Sequence, residues 1–300
     1  MKLKTWISAA RPRTLPLSVS GILVGTALAM DKNFFDLLVF IFALLTTLGL
    51  QILSNFANDY GDGTKGTDNE DRMGPMRALQ SGIISDKEMK NAMILTSVLT
   101  LGFAVILIYQ AFGADHFLHS LLFFVLGVAA IAAAIKYTVG NSAYGYRGLG
   151  DVFVFIFFGL VSVAGVYFLY THKLNFDIFL PAITIGLLSV AVLNLNNMRD
   201  QVGDKKAGKN TLVVMLGPEK AKKYHYFLIL GALAAMLLFA FFNKNSGGSF
   251  LYFLAFAPLL LHLKTVHQNK IPSQLDPELK KVALSTFLLA VLFLIGSIYF

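Results

Sequence analysis

Two short stretches of this chain hold the residues that could do chemistry. One reads QILSNFANDYGD over 51–62 and runs on through Asp68, Glu70, Asp71 and Arg72. The other reads NLNNMRDQVGD over 194–204 and is followed by Lys205, Lys206 and Lys209. Asn58 and Asp62 are four apart, and so are Asn196, Asp200 and Asp204 in turn. On a helix that spacing stacks carboxamide and carboxylates along one face. Asn55 and Asp59 form a second, slightly rotated register, so either Asp59 or Asp68 can join Asp62 in the first cluster. Hard oxygen donors of this kind suit Mg²⁺, which is held by a few carboxylates plus substrate phosphate. Zinc fits poorly, because cysteine is absent and none of the six histidines falls in either stretch.

Charge sign narrows the ligand. Carboxylates facing a diphosphate repel it by about 4 kcal/mol per close pair at an effective dielectric near 20. Divalent cations between them reverse that sign, and the neighbouring Arg72, Arg77, Lys205 and Lys209 can hold the remaining phosphate oxygens. The acids Glu70, Asp71, Asp86 and Asp276 read instead as solvated residues or helix caps.

The elements that carry these clusters cross a membrane. Of 300 residues 56% are hydrophobic and 14% charged, which leaves too little polar surface for a water-soluble fold. Nine apolar spans are expected, at about 14–30, 35–57, 90–112, 117–139, 151–171, 176–198, 224–242, 249–265 and 283–300, each long enough for a hydrocarbon core. Both acidic clusters fall where a span, the second or the sixth, leaves the bilayer. Of the 25 Lys and Arg residues, all but Lys32, Lys173 and Lys244 flank one side. The positive-inside rule makes that side cytoplasmic, with the N-terminus inside and the C-terminus outside. The net charge of +8 lies mainly on this face, where anionic lipid or a phosphorylated substrate is attracted. Nucleic acid is excluded as a partner, because the basic residues flank membrane helices and form no soluble module.

Four stretches resemble the UbiA superfamily of intramembrane prenyltransferases, and within it the branch acting on 1,4-dihydroxy-2-naphthoate in menaquinone biosynthesis. They are ARPRTLPLSVSGILVGTALA at 10–29, QILSNFANDYGDGTKGTD at 51–68, KYTVGNSAYGYRGLGDV at 136–152 and NNMRDQVGDKKAGKNTLVVMLG at 196–217. In the first acidic motif Asn58, Asp59 and Asp62 match the family pattern; Gly66 stands where a further Asp is common, and the next Asp is Asp68. The second, Asp200 and Asp204, matches directly.

The resemblance implies a single all-α membrane domain over 1–300, with nine helices around a central cavity open to lipid. It also implies a bacterial cytoplasmic (inner) membrane and two Mg²⁺ ions holding the diphosphate of an all-trans polyprenyl donor. The expected catalytic residues are Asp62, Asp200 and Asp204. The expected metal ligands are these with Asn58, Asp68 and Asn196, and the diphosphate contacts are Arg72, Arg77, Lys205 and Lys209. After the fourth span, Lys136 or Arg147 could hold an acceptor carboxylate, or simply snorkel at the interface. Tyr144 and Tyr146 could line the cavity. Rival readings are another aromatic acceptor, such as 4-hydroxybenzoate, and a cation-coupled transporter, which would want ionisable groups on broken helices at mid-membrane.

Overall fold

In the computed structural model the described residues are 2–68, 76–243 and 250–299, so Arg72, Glu70, Asp71 and Lys244 lie outside them. Among the described residues the chain is all helix and turn, with no strand. The main helices are α1 (Lys2–Ala10), α2 (Leu15–Met30), α3 (Leu37–Thr64), α4 (Asp86–Phe112), α5 (Phe117–Lys136), α6 (Gly150–Thr171), α7 (Phe179–Lys206), α8 (Leu212–Leu216), α9 (Pro218–Phe242), α10 (Phe256–Gln268) and α11 (Asp276–Tyr299). Among the described residues eight stretches are long and apolar enough to cross a membrane, the first formed by α1 and α2 together. The segment expected at 249–265 is helical, but α10 has only 13 residues, entered through a 3₁₀ turn at Leu251–Ala255.

Local chemistry sets the helix starts. Asp36 caps α3 by accepting from the amides of Leu38 (2.8 Å) and Val39 (3.0 Å). Ser85 and Glu88 form a reciprocal capping box at α4, and Lys2 of α1 reaches Glu88 at 2.7 Å. Asp151 lies in the first turn of α6 and does not cap it. The outer helices leave large apolar side chains uncovered, including Leu95, Val98, Leu99, Leu118, Leu122 and Val125. Such a surface is stable against lipid and not against water.

The centre of the bundle is α7, packed on α9, α11 and α6. In α6 the backbone winds as a π-helix over Phe155–Gly165, and Gly21 and Gly25 of α2 lie against it. A Cβ at Gly25 would sit 2.6 Å from the Val163 carbonyl, so only glycine allows this approach. Both α3 and α7 continue past their apolar spans, to Thr64 and Lys206, and so carry the acidic motifs as ordered helix.

Candidate active site

Asp62, on the last turn of α3, is buried and accepts from the Tyr146 hydroxyl (2.7 Å) and from Lys209 Nζ (3.3 Å). Lys209 also lies 3.9 Å from Asp204 of α7, so one ammonium joins the two acidic motifs. The chain places it there by turning back after α7: Gly208 adopts a left-handed φ of 70°, and the Lys209 amide donates to the Asp204 carbonyl (2.8 Å). Burial alone would lower the Lys209 pKa, but Asp62 and Asp204 outweigh it and hold the value above its ordinary one. Lys65 shifts the other way, driven down by burial; it donates to the Thr138 carbonyl (2.7 Å) and sits 4.0 Å from the Tyr146 ring centre. Thr138 in turn donates to the Ala57 carbonyl (2.8 Å) and to Asn58 Oδ1 (3.3 Å). Gly61 makes room for it, since a Cβ there would lie 2.6 Å from the threonine hydroxyl.

On the α7 side the organising group is Arg199. Its Nε and Nη2 donate to the two oxygens of Asp200 (2.8 and 2.6 Å), Nη2 also to Asn196 (2.9 Å), and Nη1 to Asp276 at the start of α11. Arg13 lies 4.0 Å from the other Asp276 oxygen. Asp59 faces elsewhere: its two oxygens accept from the amides of Ala78 (3.0 Å) and Leu79 (3.2 Å), which pins the returning loop to α3. Asp68 is held beside Asp62 by backbone bonds to the Asp62 carbonyl and pairs with Arg77 (3.8 Å).

Some of these groups line a cavity of about 490 Å³. Its polar wall includes Asn58, Asp62, Arg77, Asn196, Arg199 and Lys209, and its apolar wall includes Leu107, Phe123, Phe157, Val161 and Leu169. Aromatic rings also line it: Tyr144 stacks on Phe153 with ring centres 4.0 Å apart, and Tyr137 meets Tyr144 edge-on at 5.3 Å. Burial raises the Tyr144 phenol above its ordinary value. The sequence profile of the UbiA prenyltransferase family matches residues 18–292.

The chain belongs to that family.

It is 45% identical to the 1,4-dihydroxy-2-naphthoate octaprenyltransferase of Escherichia coli (strain K12), over 98% of this chain and 95% of that one. It is 46% identical to the protein of the same name from Haemophilus influenzae, over 98% and 96%. In fold it matches a UbiA homolog from Archaeoglobus fulgidus bound to DMAPP and Mg²⁺, with a TM-score of 0.65, 16% identity and 98% coverage of both chains.

The structure brings Asn58, Asp62, Arg77, Asn196, Lys209 and Tyr144 to the cavity wall of this UbiA-family chain. Asp200 and Asp204 adjoin it through Arg199 and Lys209. Lys136, Arg147 and Lys205 are exposed and off the wall, and Arg72 lies outside the described residues. Instead, Arg11, Arg13, Arg199 and Lys280 are cations on the wall. Asp276, read from sequence as a solvated acid, is an Arg199 partner at the cavity. An arginine at the end of an apolar span, directly before Asp200, is a sequence signal for Arg199, because a charge there needs a partner. No local signal marks Asp276, 77 residues away.

The donor set fits Mg²⁺: every candidate ligand is a carboxylate or carboxamide oxygen. Among the described residues no three His, Asp or Glu side chains could hold an ion on their own.

Proposed function

We propose that the chain transfers an all-trans polyprenyl group from polyprenyl diphosphate to 1,4-dihydroxy-2-naphthoate, releasing CO₂ and diphosphate and giving demethylmenaquinol. The observation that carries this is the Asp62–Lys209–Asp204 junction: two acidic motifs and a buried cation meet at one end of an apolar cavity. An amphiphile with a diphosphate head and a long hydrocarbon tail has that pattern. The names of the 45–46% identical relatives support the naphthoate acceptor over 4-hydroxybenzoate. Family membership leaves the transporter reading without support.

Asn58, Asp62, Asp68, Asn196, Asp200 and Asp204 would hold two Mg²⁺ ions, which supply Lewis-acid charge to the departing diphosphate. Lys209 and Arg77 donate to the diphosphate oxygens and stabilise the charge that develops as the allylic C–O bond breaks. The faces of Tyr137, Tyr144 and Phe153 stabilise the allylic cation and keep water away from it. The electron-rich naphthoate ring forms the new C–C bond, and its carboxylate leaves as CO₂, returning the bonding pair to the ring. Arg13 and Lys280 are the wall cations available for that carboxylate before it leaves. Membranes carrying the chain should release pyrophosphate from polyprenyl diphosphate and the naphthoate, with chelator stopping the reaction and Mg²⁺ restoring it. Full activity in excess chelator, or a preference for 4-hydroxybenzoate, would overturn the reading.

The site lies on the cytoplasmic side of a bacterial inner membrane, with the N-terminus inside and the C-terminus outside. The charge asymmetry supports this, and the lack of cysteine makes it easy to test. A single cysteine beside Lys206 should react with an impermeant thiol reagent only when the cytoplasmic face is exposed, and one beside Lys173 from outside. The reverse labelling would invert the topology.

A further inference from the structure

Behind the second acidic motif lies a buried polar ring that the reaction described above does not use. It starts at Asn194 of α7, whose Nδ2 approaches His225 Nδ1 of α9 (3.2 Å). His225 Nε2 meets His262 Nε2 of α10 at 2.8 Å, and His262 Nδ1 meets Glu278 of α11. Lys281 donates to the other Glu278 oxygen (2.6 Å). Two residues before Glu278, in the same first turn, Asp276 binds Arg199, which returns the ring to α7. Its two ends, Asn194 and Arg199, flank Asn196 on one helix. Asn194, His225 and His262 are fully buried, and Glu278 is 6% exposed.

The direction of every hydrogen bond follows from the two ends. Asn194 Nδ2 also donates to the Ala221 carbonyl (3.3 Å), so it is the amide nitrogen that faces His225. The Lys281 ammonium favours Glu278 as a carboxylate that accepts from His262 Nδ1–H. His262 Nε2 then accepts from His225 Nε2–H, and His225 Nδ1 accepts from Asn194. Each donor meets one acceptor, and α7, α9, α10 and α11 are fixed in one relative setting.

We propose that Glu278 and His262 are positioning residues for the second acidic motif, holding Asp276 on Arg199 so that the guanidinium charge is shared between two carboxylates and Asp200 keeps negative charge for a divalent cation. Arg199 touches Asp200 with two N–H groups, and with Asp276 lost its whole charge would fall on Asp200. A carboxylate neutralised in that way is a poor metal ligand. This inference rests on the metal role proposed for Asp200.

The test is equilibrium binding of geranyl thiodiphosphate, an unreactive donor analogue, to the purified full chain as Mg²⁺ is varied. Outer-shell partners of metal ligands are typically worth about ten- to a hundredfold in metal affinity. Glu278→Ala should raise the Mg²⁺ concentration for half-maximal binding about tenfold, and Glu278→Gln, which keeps an acceptor for His262, should stay within about twofold of wild type. Leu259→Ala, in the core of α10, should lower the melting temperature without moving the midpoint. If Glu278→Ala does not accumulate folded, Asn194→Ala at the other end of the ring should give the same shift. An unchanged midpoint in the ring variants, or a shift no larger than that of Leu259→Ala, overturns the inference. Asp200→Asn separates the two claims: if it shifts the midpoint and Glu278→Ala does not, only the ring's role fails, whereas if neither shifts it, the metal reading fails as well.

Discussion

Alanine at Asp62 is expected to lower prenyl transfer by about 10²–10³-fold, or roughly 3–4 kcal/mol of transition-state stabilisation, while the protein still inserts and folds. Among the three motif aspartates Asp62 alone lines the cavity, and it also orients Tyr146 and Lys209. Asp200→Ala and Asp204→Ala should each cost a similar order, because each removes a proposed metal ligand. The informative control is Asp62→Asn, which keeps the size and an oxygen to accept from Tyr146 but removes the charge. If the charge acts on a metal, Asn should be nearly as inactive as Ala. An asparagine variant with more than about a tenth of the wild-type rate would make Asp62 a scaffold for Tyr146 and Lys209, because only the hydrogen bond would then matter.

The helices that carry this site were legible in the sequence because their ends announce themselves: apolar runs stop at QILSNFAND and NLNNMRD, and the four-residue spacing defines the inward face. Hydropathy marks where the apolar spans end, at about 57 and 198, and not where the helices end. Past those ends Asp59, Asp62 and Arg199 stay on the helix with protein partners. The basic residues were harder to sort. Lys205 is adjacent to Asp204, so the helical step turns it about 100° away and onto the surface. Lys209 reaches the site only because the chain reverses at Gly208, and no periodicity encodes that reversal. After α5 the Gly145 amide returns to the Tyr137 carbonyl (2.9 Å) and the Tyr144 hydroxyl to the Ala133 carbonyl (2.9 Å). That turn directs tyrosines inward and leaves Lys136 and Arg147 outside. Arg199–Asp276 and the histidine ring depend on contacts between distant helices, and one sequence read alone carries no record of such pairs.

Replacing Lys209 by methionine should have two separable consequences. Met keeps most of the length and apolar volume but removes the charge that Asp62 and Asp204 share. Breaking a buried ion pair from one side typically costs about 3–5 kcal/mol, since it leaves the opposite charge uncompensated. The variant should therefore melt earlier without divalent cations, and added Mg²⁺ should restore more stability to it than to wild type. pH will not mimic the mutation. The folded-state pKa of Lys209 lies above its ordinary 10.5, so its contribution is complete below that value and is lost only as the pH rises through the still higher folded pKa. The second consequence is kinetic. A charge-assisted hydrogen bond to the diphosphate is worth about 1.5–3 kcal/mol, or roughly ten- to over a hundredfold. If Lys209 served only to neutralise the two aspartates, saturating Mg²⁺ would restore the rate along with the stability. If it also touches the donor, the variant should regain its melting temperature in Mg²⁺ yet keep a raised KM for polyprenyl diphosphate, with the KM for the aromatic acceptor unchanged. The second pattern is expected, because Lys209 lies on the cavity wall between the two motifs. Full kinetic rescue by Mg²⁺ would reduce Lys209 to a counter-charge and leave Arg77 as the described residue proposed to bind the diphosphate.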